Sequence, residues 1–345
     1  MEIPIQNIYY LLCYSWNKLE EKDIVNINST DSPEILDLLC KVLTNGTTHL
    51  LKKGMDRSYV AWQEDTASIR GRIDFNQSIK RNLMRRAILR CEFDELDYNI
   101  LHNQILKATF KNLLKNKNID KDLKEEMKGV YNYFSSIDDI YLSERSFGSV
   151  RLNRNNGLYD FLLKVCRLIY DNLLMNEDTG ESKFRDFLRD ENTMQHLFEN
   201  FVRNFYRREQ KLYTVKSENI RWDARCLTEA SDGFLPKMTT DISLESPKRK
   251  IIIDTKYYKD AFQNNYNVEK LHSVNLYQIF SYLKNVEVKG GMNRHCEGIL
   301  LYPTVSKELD LRYKIAGHKL SIKTINLNQD WKKIHNDLIE MTIAY

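Results

Sequence analysis

Lys250-Ile251-Ile252-Ile253-Asp254-Thr255-Lys256-Tyr257-Tyr258-Lys259 is the stretch whose reading decides the fold. Three consecutive isoleucines make a short β-branched run, suited to a strand at the centre of a sheet. The run stops abruptly in polar residues. Side chains alternate along a strand, so Asp254 and Lys256 point to one face. Upstream, Asp241-Ile242-Ser243-Leu244 opens a second apolar-alternating run. A neighbouring strand is therefore expected to bring a second carboxylate to the pair.

The flanking segments alternate between helical and strand periods. A helix is expected from Glu191 to Glu209, with Leu197, Phe198, Phe201, Val202 and Phe205 on its inner side. Strands are expected near 212–223, 238–245 and 250–256, then a helix near 271–285 and a strand at Gly298-Ile299-Leu300-Leu301-Tyr302. A strand pair over 309–327 and a closing helix after Asn328 complete the series. Helix, three strands, helix, strand is an α/β order.

The N-terminal half is mixed. Ile8, Leu11 and Leu12 give residues 5–16 one apolar helical face. Asp31-Ser32-Pro33-Glu34 reads as a helix start, with Gly46 as the expected terminator. Tyr59–Trp62 and Ser68–Phe75 look strand-like, and residues 87–94 alternate as a half-buried strand. Helices are expected over 100–116 and 120–134, the second capped by Asp120. The turn-rich Arg151-Leu152-Asn153-Arg154-Asn155-Asn156-Gly157 marks the expected boundary between a domain of residues 1–155 and one of residues 156–345.

Composition narrows the class. A chain of 345 residues is long for one domain. Its 52 basic and 48 acidic residues leave a net charge of only +4, so any affinity for phosphates must come from local patches. The clearest patch is Lys80, Arg81, Arg85, Arg86 and Arg90, with Arg70 and Arg72 nearby. Gly71, between those two arginines, permits close backbone approach. Six scattered cysteines include no Cys-x-x-Cys pair, which argues against a zinc ribbon. No secretory leader and no apolar run of about 20 residues is visible, so a reducing cytoplasm and no membrane association are expected.

Two carboxylates and a lysine at adjacent strand ends suit phosphodiester hydrolysis. Hard oxygen ligands such as Asp241, Asp254 and the Thr255 carbonyl suit Mg²⁺, which keeps several waters. Lys256 can orient water or neutralise phosphate oxygens. Taken alone, Asp-x-Lys is far more often a salt-bridged strand end than a catalytic pair. Glu199 lies among apolar neighbours on the preceding helix, and Gln278 and Tyr282 sit one turn apart on the following one. The ordered set is more specific than any member.

The block Glu199 … Asp241 … Asp254-Thr255-Lys256 … Gln278-x-x-x-Tyr282 resembles the PD-(D/E)xK nuclease superfamily, with Thr240 where that pattern often has proline. Asn7-Ile8-Tyr9-Tyr10-Leu11-Leu12, Ile69-Arg70-Gly71-Arg72-Ile73-Asp74-Phe75, Asn275-Leu276-Tyr277-Gln278 and Leu301-Tyr302-Pro303 extend the likeness to the McrC family over nearly the whole chain. The resemblance implies a partner-docking N-terminal domain followed by a restriction-endonuclease-like α/β domain. It also implies a hexameric AAA+ GTPase partner of the McrB type, whose GTPase this chain would stimulate, and double-stranded DNA as substrate. The DNA would carry 5-methylcytosine. The chain has no Gly-x-x-x-x-Gly-Lys-Ser/Thr loop, so GTP would be bound by the partner. Two alternatives stay open: a related system reading an unmodified sequence, and a catalytically silent regulator of the motor.

Overall fold

A computed structural model describes residues 3–21, 34–153, 155–175, 182–227, 234–257, 262–265, 268–304 and 308–343. Tyr258 and Lys259 of the opening stretch, and the expected helix start at Asp31-Ser32-Pro33, lie outside these residues.

The chain divides into two compact units, and one of them is discontinuous. It comprises Met1–Asp31 and Asp186–Tyr345, while Ser32–Arg185 form the other. This division differs from the boundary expected near residue 155. The first helix, α1 (Ile5–Ser15), belongs to the unit that contains the end of the chain.

The middle unit holds α2 (Ile35–Lys53), β1 (Ser58–Thr66), β2 (Arg72–Ile73), α3 (Phe75–Lys80), β3 (Leu89–Asp97), α4 (Leu101–Leu114), α5 (Lys121–Asn132), α6 (Glu144–Gly148), α7 (Gly157–Asn172), β4 (Leu173–Met175) and β5 (Ser182–Phe184). Its helices bury an apolar core of Leu38, Leu43, Ile105, Phe110, Phe134 and Phe161. Its strands β1, β3 and β2 form a small antiparallel sheet in that order.

Two local expectations are corrected there. The helix α2 runs through Gly46 and ends at Gly54 (φ 93°). Gly46 is buried against Leu162, only 2.5 Å from where a Cβ would sit, so its small size serves packing and not termination. The strand expected over 68–75 shrinks to two residues. Asp74 accepts from the Gln77 backbone N–H at 3.0 Å and caps α3, so N-cap chemistry overrides the alternation.

The discontinuous unit continues from α1 with α8 (Glu191–Glu209), β6 (Thr214–Lys216), β7 (Asn219–Ile220), β8 (Met238–Thr239), β9 (Ile242–Glu245), β10 (Lys250–Thr255), β11 (Phe262–Asn265), β12 (Val268–Leu271), α9 (Ser273–Glu287), β13 (Glu297–Thr304), β14 (Asp310–Ile315), β15 (His318–Asn326) and α10 (Trp331–Ile343). Six strands make one sheet in the order β14-β15-β13-β10-β9-β6. The triple-isoleucine strand β10 sits inside it, parallel to β13 and antiparallel to β9. Every residue of β10 is buried, as the β-branched run requires. Ile252, Leu300, Leu320 and Ile322 face α9, where Ile279, Tyr282, Leu283 and Val286 cover them.

Helix α1 is built into this unit. Tyr10 stacks on Trp331 at 4.7 Å, and Tyr14 and Trp331 both pack on Phe201. Asn7 donates to the carbonyls of Leu327 and Gln329, both at 2.8 Å. Asn204 of α8 satisfies two terminal carbonyls of α1, those of Tyr14 and Ser15. None of the six cysteines is in a disulfide. Among the described residues, no helix is long and apolar enough to cross a membrane.

Candidate active site

Strand β9 stops pairing with β10 at Ile242↔Ile253, so the last residues of β10 run past their neighbour. On the other side the ladder continues, and Lys256 N–H donates to the Leu301 carbonyl at 2.9 Å. The open side is filled by side chains. Asp241 Oδ2 accepts from the Thr255 backbone N–H at 2.8 Å and from Thr255 Oγ1 at 2.9 Å. A carboxylate thereby takes the place of a strand carbonyl, which fixes Asp241 beside Asp254.

The turn before Asp241 is held as firmly. Thr240 N–H donates to the Glu218 carbonyl at 3.0 Å, and Thr240 Oγ1 accepts from Glu218 N–H at 3.0 Å. Proline, often present at this position in the superfamily pattern, could not make the first bond. Tyr282 OH donates to the Thr239 carbonyl at 3.1 Å and accepts from Gln278 Nε2 at 2.7 Å. Gln278 and Tyr282 therefore tie α9 to the turn that carries Asp241.

Asp254 is fully buried and shares the Ile252 face of β10. Lys256 Nζ lies 2.8 Å from Asp254 Oδ2, while Oδ1 has no hydrogen-bond partner. Burial, then the Asp241 charge, pushes the Asp254 carboxyl well above the usual carboxylate range, against the pull of Lys256. Glu199 is raised by burial and by Asp241 too, and Arg203 opposes that shift from 2.8 Å. Three carboxylates and one lysine thus form one electrostatic group, with Tyr282 at its edge.

This group can hold a hard cation. Among the described residues no three His, Cys, Asp or Glu side chains form a ready-made metal cage. Mg²⁺ does not require one, since it takes one or two carboxylates and keeps its waters. The unpartnered Asp254 Oδ1 is the kind of buried oxygen that such an ion satisfies.

Two contributors were missed in the sequence, both on α8. Gln195 bonds to backbone on either side of Lys256, and Arg203 Nη1 donates to the Asp241 carbonyl at 3.2 Å. With Glu199 they follow an i, i+4, i+8 spacing, so one polar stripe of α8 meets both strand ends.

The basic candidates all lie in the middle unit. Arg70 pairs with Glu64 and stacks over the Phe93 ring at 3.9 Å, and Arg81 pairs with Asp65 at 2.9 Å. Arg72, Lys80, Arg85 and Arg86 are exposed. The close approach that Gly71 permits is internal: a Cβ there would lie 2.2 Å from the Glu92 carbonyl oxygen, at φ 67°. Gly71→Ala is therefore expected to destabilise the β1–β3 sheet by about 1–3 kcal/mol. Thermal unfolding measures this, and an unchanged midpoint would contradict it.

A mixed sheet with Asp241, Asp254 and Lys256 at its strand ends, beside a helix bearing Glu199, defines a restriction-endonuclease-like α/β fold. The chain belongs to the McrBC family: the model of the McrBC 5-methylcytosine restriction system component matches residues 6–303. It is 33% identical to the type IV methyl-directed restriction enzyme EcoKMcrBC of Escherichia coli (strain K12), over 99% of this chain and 98% of that protein. A chain of the refined half-complex from the tetradecameric assembly of Thermococcus gammatolerans McrB AAA+ hexamers with bound McrC shares the fold. Its TM-score is 0.64 at 14% identity, covering 99% of this chain and 76% of that one.

Proposed function

We propose that this chain is the Mg²⁺-dependent endonuclease subunit of a GTP-dependent McrBC-type restriction complex. It cuts 5-methylcytosine-containing double-stranded DNA and stimulates the GTPase of a hexameric AAA+ partner of the McrB type. The observation that carries the reading is the meeting of Asp241, Asp254 and Lys256 at the open end of β10, in a chain of this family.

Asp241, Asp254 and the Thr255 carbonyl would hold the metal. A bound Mg²⁺ supplies a more acidic water and neutralises developing charge on the phosphate. Lys256 places its ammonium beside that group and steadies the phosphate oxygens. Glu199, held by Arg203, keeps negative charge next to Asp241 and Asp254. Gln278 and Tyr282 fix the turn that aims Asp241.

The middle unit supports the docking half of the proposal. Tyr59, Trp62, Ile69, Phe75, Ile79 and Met84 are exposed apolar side chains around the β1–β3 sheet, interspersed with Arg72, Lys80, Arg85 and Arg86. Exposed apolar residues rimmed by charge mark interaction surfaces.

The test is cleavage of methylated DNA by the chain with its motor subunit and GTP, with and without Mg²⁺. Chelation is expected to stop cutting and added Mg²⁺ to restore it. Undiminished cutting in excess chelator would refute the metal site.

A further inference from the structure

We infer that Gln195 is a positioning residue for Lys256, acting as a substitute strand at the open edge of β10; this rests on the nuclease reading above. Its Nε2 donates to the Thr255 carbonyl at 2.8 Å, and its Oε1 accepts from the Tyr257 N–H at 2.6 Å. Backbone groups of alternate residues on a strand point to the same side. Thr255 and Tyr257 thus face the side that β9 has vacated, and Lys256 faces β13, where its N–H meets Leu301. Asp241 takes the Thr255 N–H on that vacated side, and Gln195 takes the next two groups.

The primary amide is the group this job needs. It offers a donor and an acceptor about as far apart as those of a peptide, and it bridges the residues on both sides of the lysine. With both neighbours bonded and its own N–H on Leu301, the backbone at Lys256 is held where its ammonium reaches Asp254 Oδ2. The same bond orients the Thr255 carbonyl. Helix α8 thereby carries both Glu199 and, one turn earlier, the clamp on the lysine.

Two variants test this in the full chain with its motor subunit, GTP, Mg²⁺ and methylated DNA. Gln195→Leu keeps the shape and removes both bonds, and Gln195→Glu keeps the acceptor for Tyr257. The expected result is a kcat fall of about 10²-fold for the leucine variant, with KM for DNA unchanged. A smaller fall is expected for the glutamate variant, with both thermal transitions near that of wild type. A leucine variant that cuts at the wild-type kcat while Asp254→Ala is inactive overturns the role of Gln195 and leaves the site standing. Losses that track an equal loss of folded protein in both variants also overturn it. If Asp254→Ala itself cuts normally, the nuclease reading fails and the role fails with it.

Discussion

On the proposed nuclease reading, Asp254→Asn is expected to abolish DNA cleavage and at the same time to raise the thermal stability of the metal-free protein. The two effects share one cause. Asp254 is completely buried, its Oδ1 has no hydrogen-bond partner, and Asp241 and Glu199 add like charge around it. Keeping such a carboxylate ionised opposes folding, and Lys256 compensates in part from 2.8 Å. Asparagine removes the charge and the proposed metal ligand together. Active sites commonly sacrifice stability in this way. The sign with pH follows from the raised carboxyl. Its ionisation costs stability above the folded-state value, and that cost disappears as protonation sets in on acidification. The stability gain is therefore largest at alkaline pH and closes as pH falls. Each kcal/mol recovered moves the midpoint by about 2–4 °C. Cleavage is expected to fall by about 10³-fold or more, while partner binding and GTPase stimulation persist. A variant that still cuts at the wild-type rate, or that melts below wild type at alkaline pH, contradicts the assignment.

Phe201→Ala has the largest expected effect on folding. Its ring is fully buried and touches Tyr14, Phe198, Phe205 and Trp331, at centroid distances from 5.6 to 6.2 Å. Those residues come from α1, α8 and α10, so one ring joins three helices. Truncation leaves a cavity that three rigid helices cannot collapse, at a cost of about 3–5 kcal/mol. That is a large share of a typical domain's 5–15 kcal/mol, stated to order of magnitude. Denaturant unfolding of the full chain measures it. A loss below about 1 kcal/mol would show that the cluster is not the keystone of this unit.

The elements that were legible in the sequence are those whose signal is local. Three β-branched residues in a row mark β10, and its burial follows from them. The extent of α8 follows from its apolar stripe, and the fold adds its cap, Asp190, which accepts from Thr193 N–H at 2.9 Å. The candidate site residues stand out by type and spacing. What stayed hidden depends on contacts between distant positions. Nothing near Asn7 announces that its amide meets Leu327, and nothing near Gln195 announces backbone partners sixty positions on. Gly46 carries the composition of a helix stop, yet its size is set by Leu162 of another helix. Arg70 looks free in sequence and is committed to Glu64 and Phe93 in the fold.

Because α1 belongs with α8 and α10, the order of synthesis matters to this protein. A ribosome makes α1 more than 300 residues before α10, at about 5–20 residues per second. The unit of Ser32–Arg185 is contiguous and can close while the rest is still being made. The apolar face of α1 waits tens of seconds for its partners. A nascent or C-terminally clipped chain lacks Trp331, and with it the surface on which Tyr10 and Phe201 rest. The unit bearing the carboxylates can therefore close only after α10 has emerged. Incomplete chains would then carry an intact middle unit and no assembled carboxylate cluster.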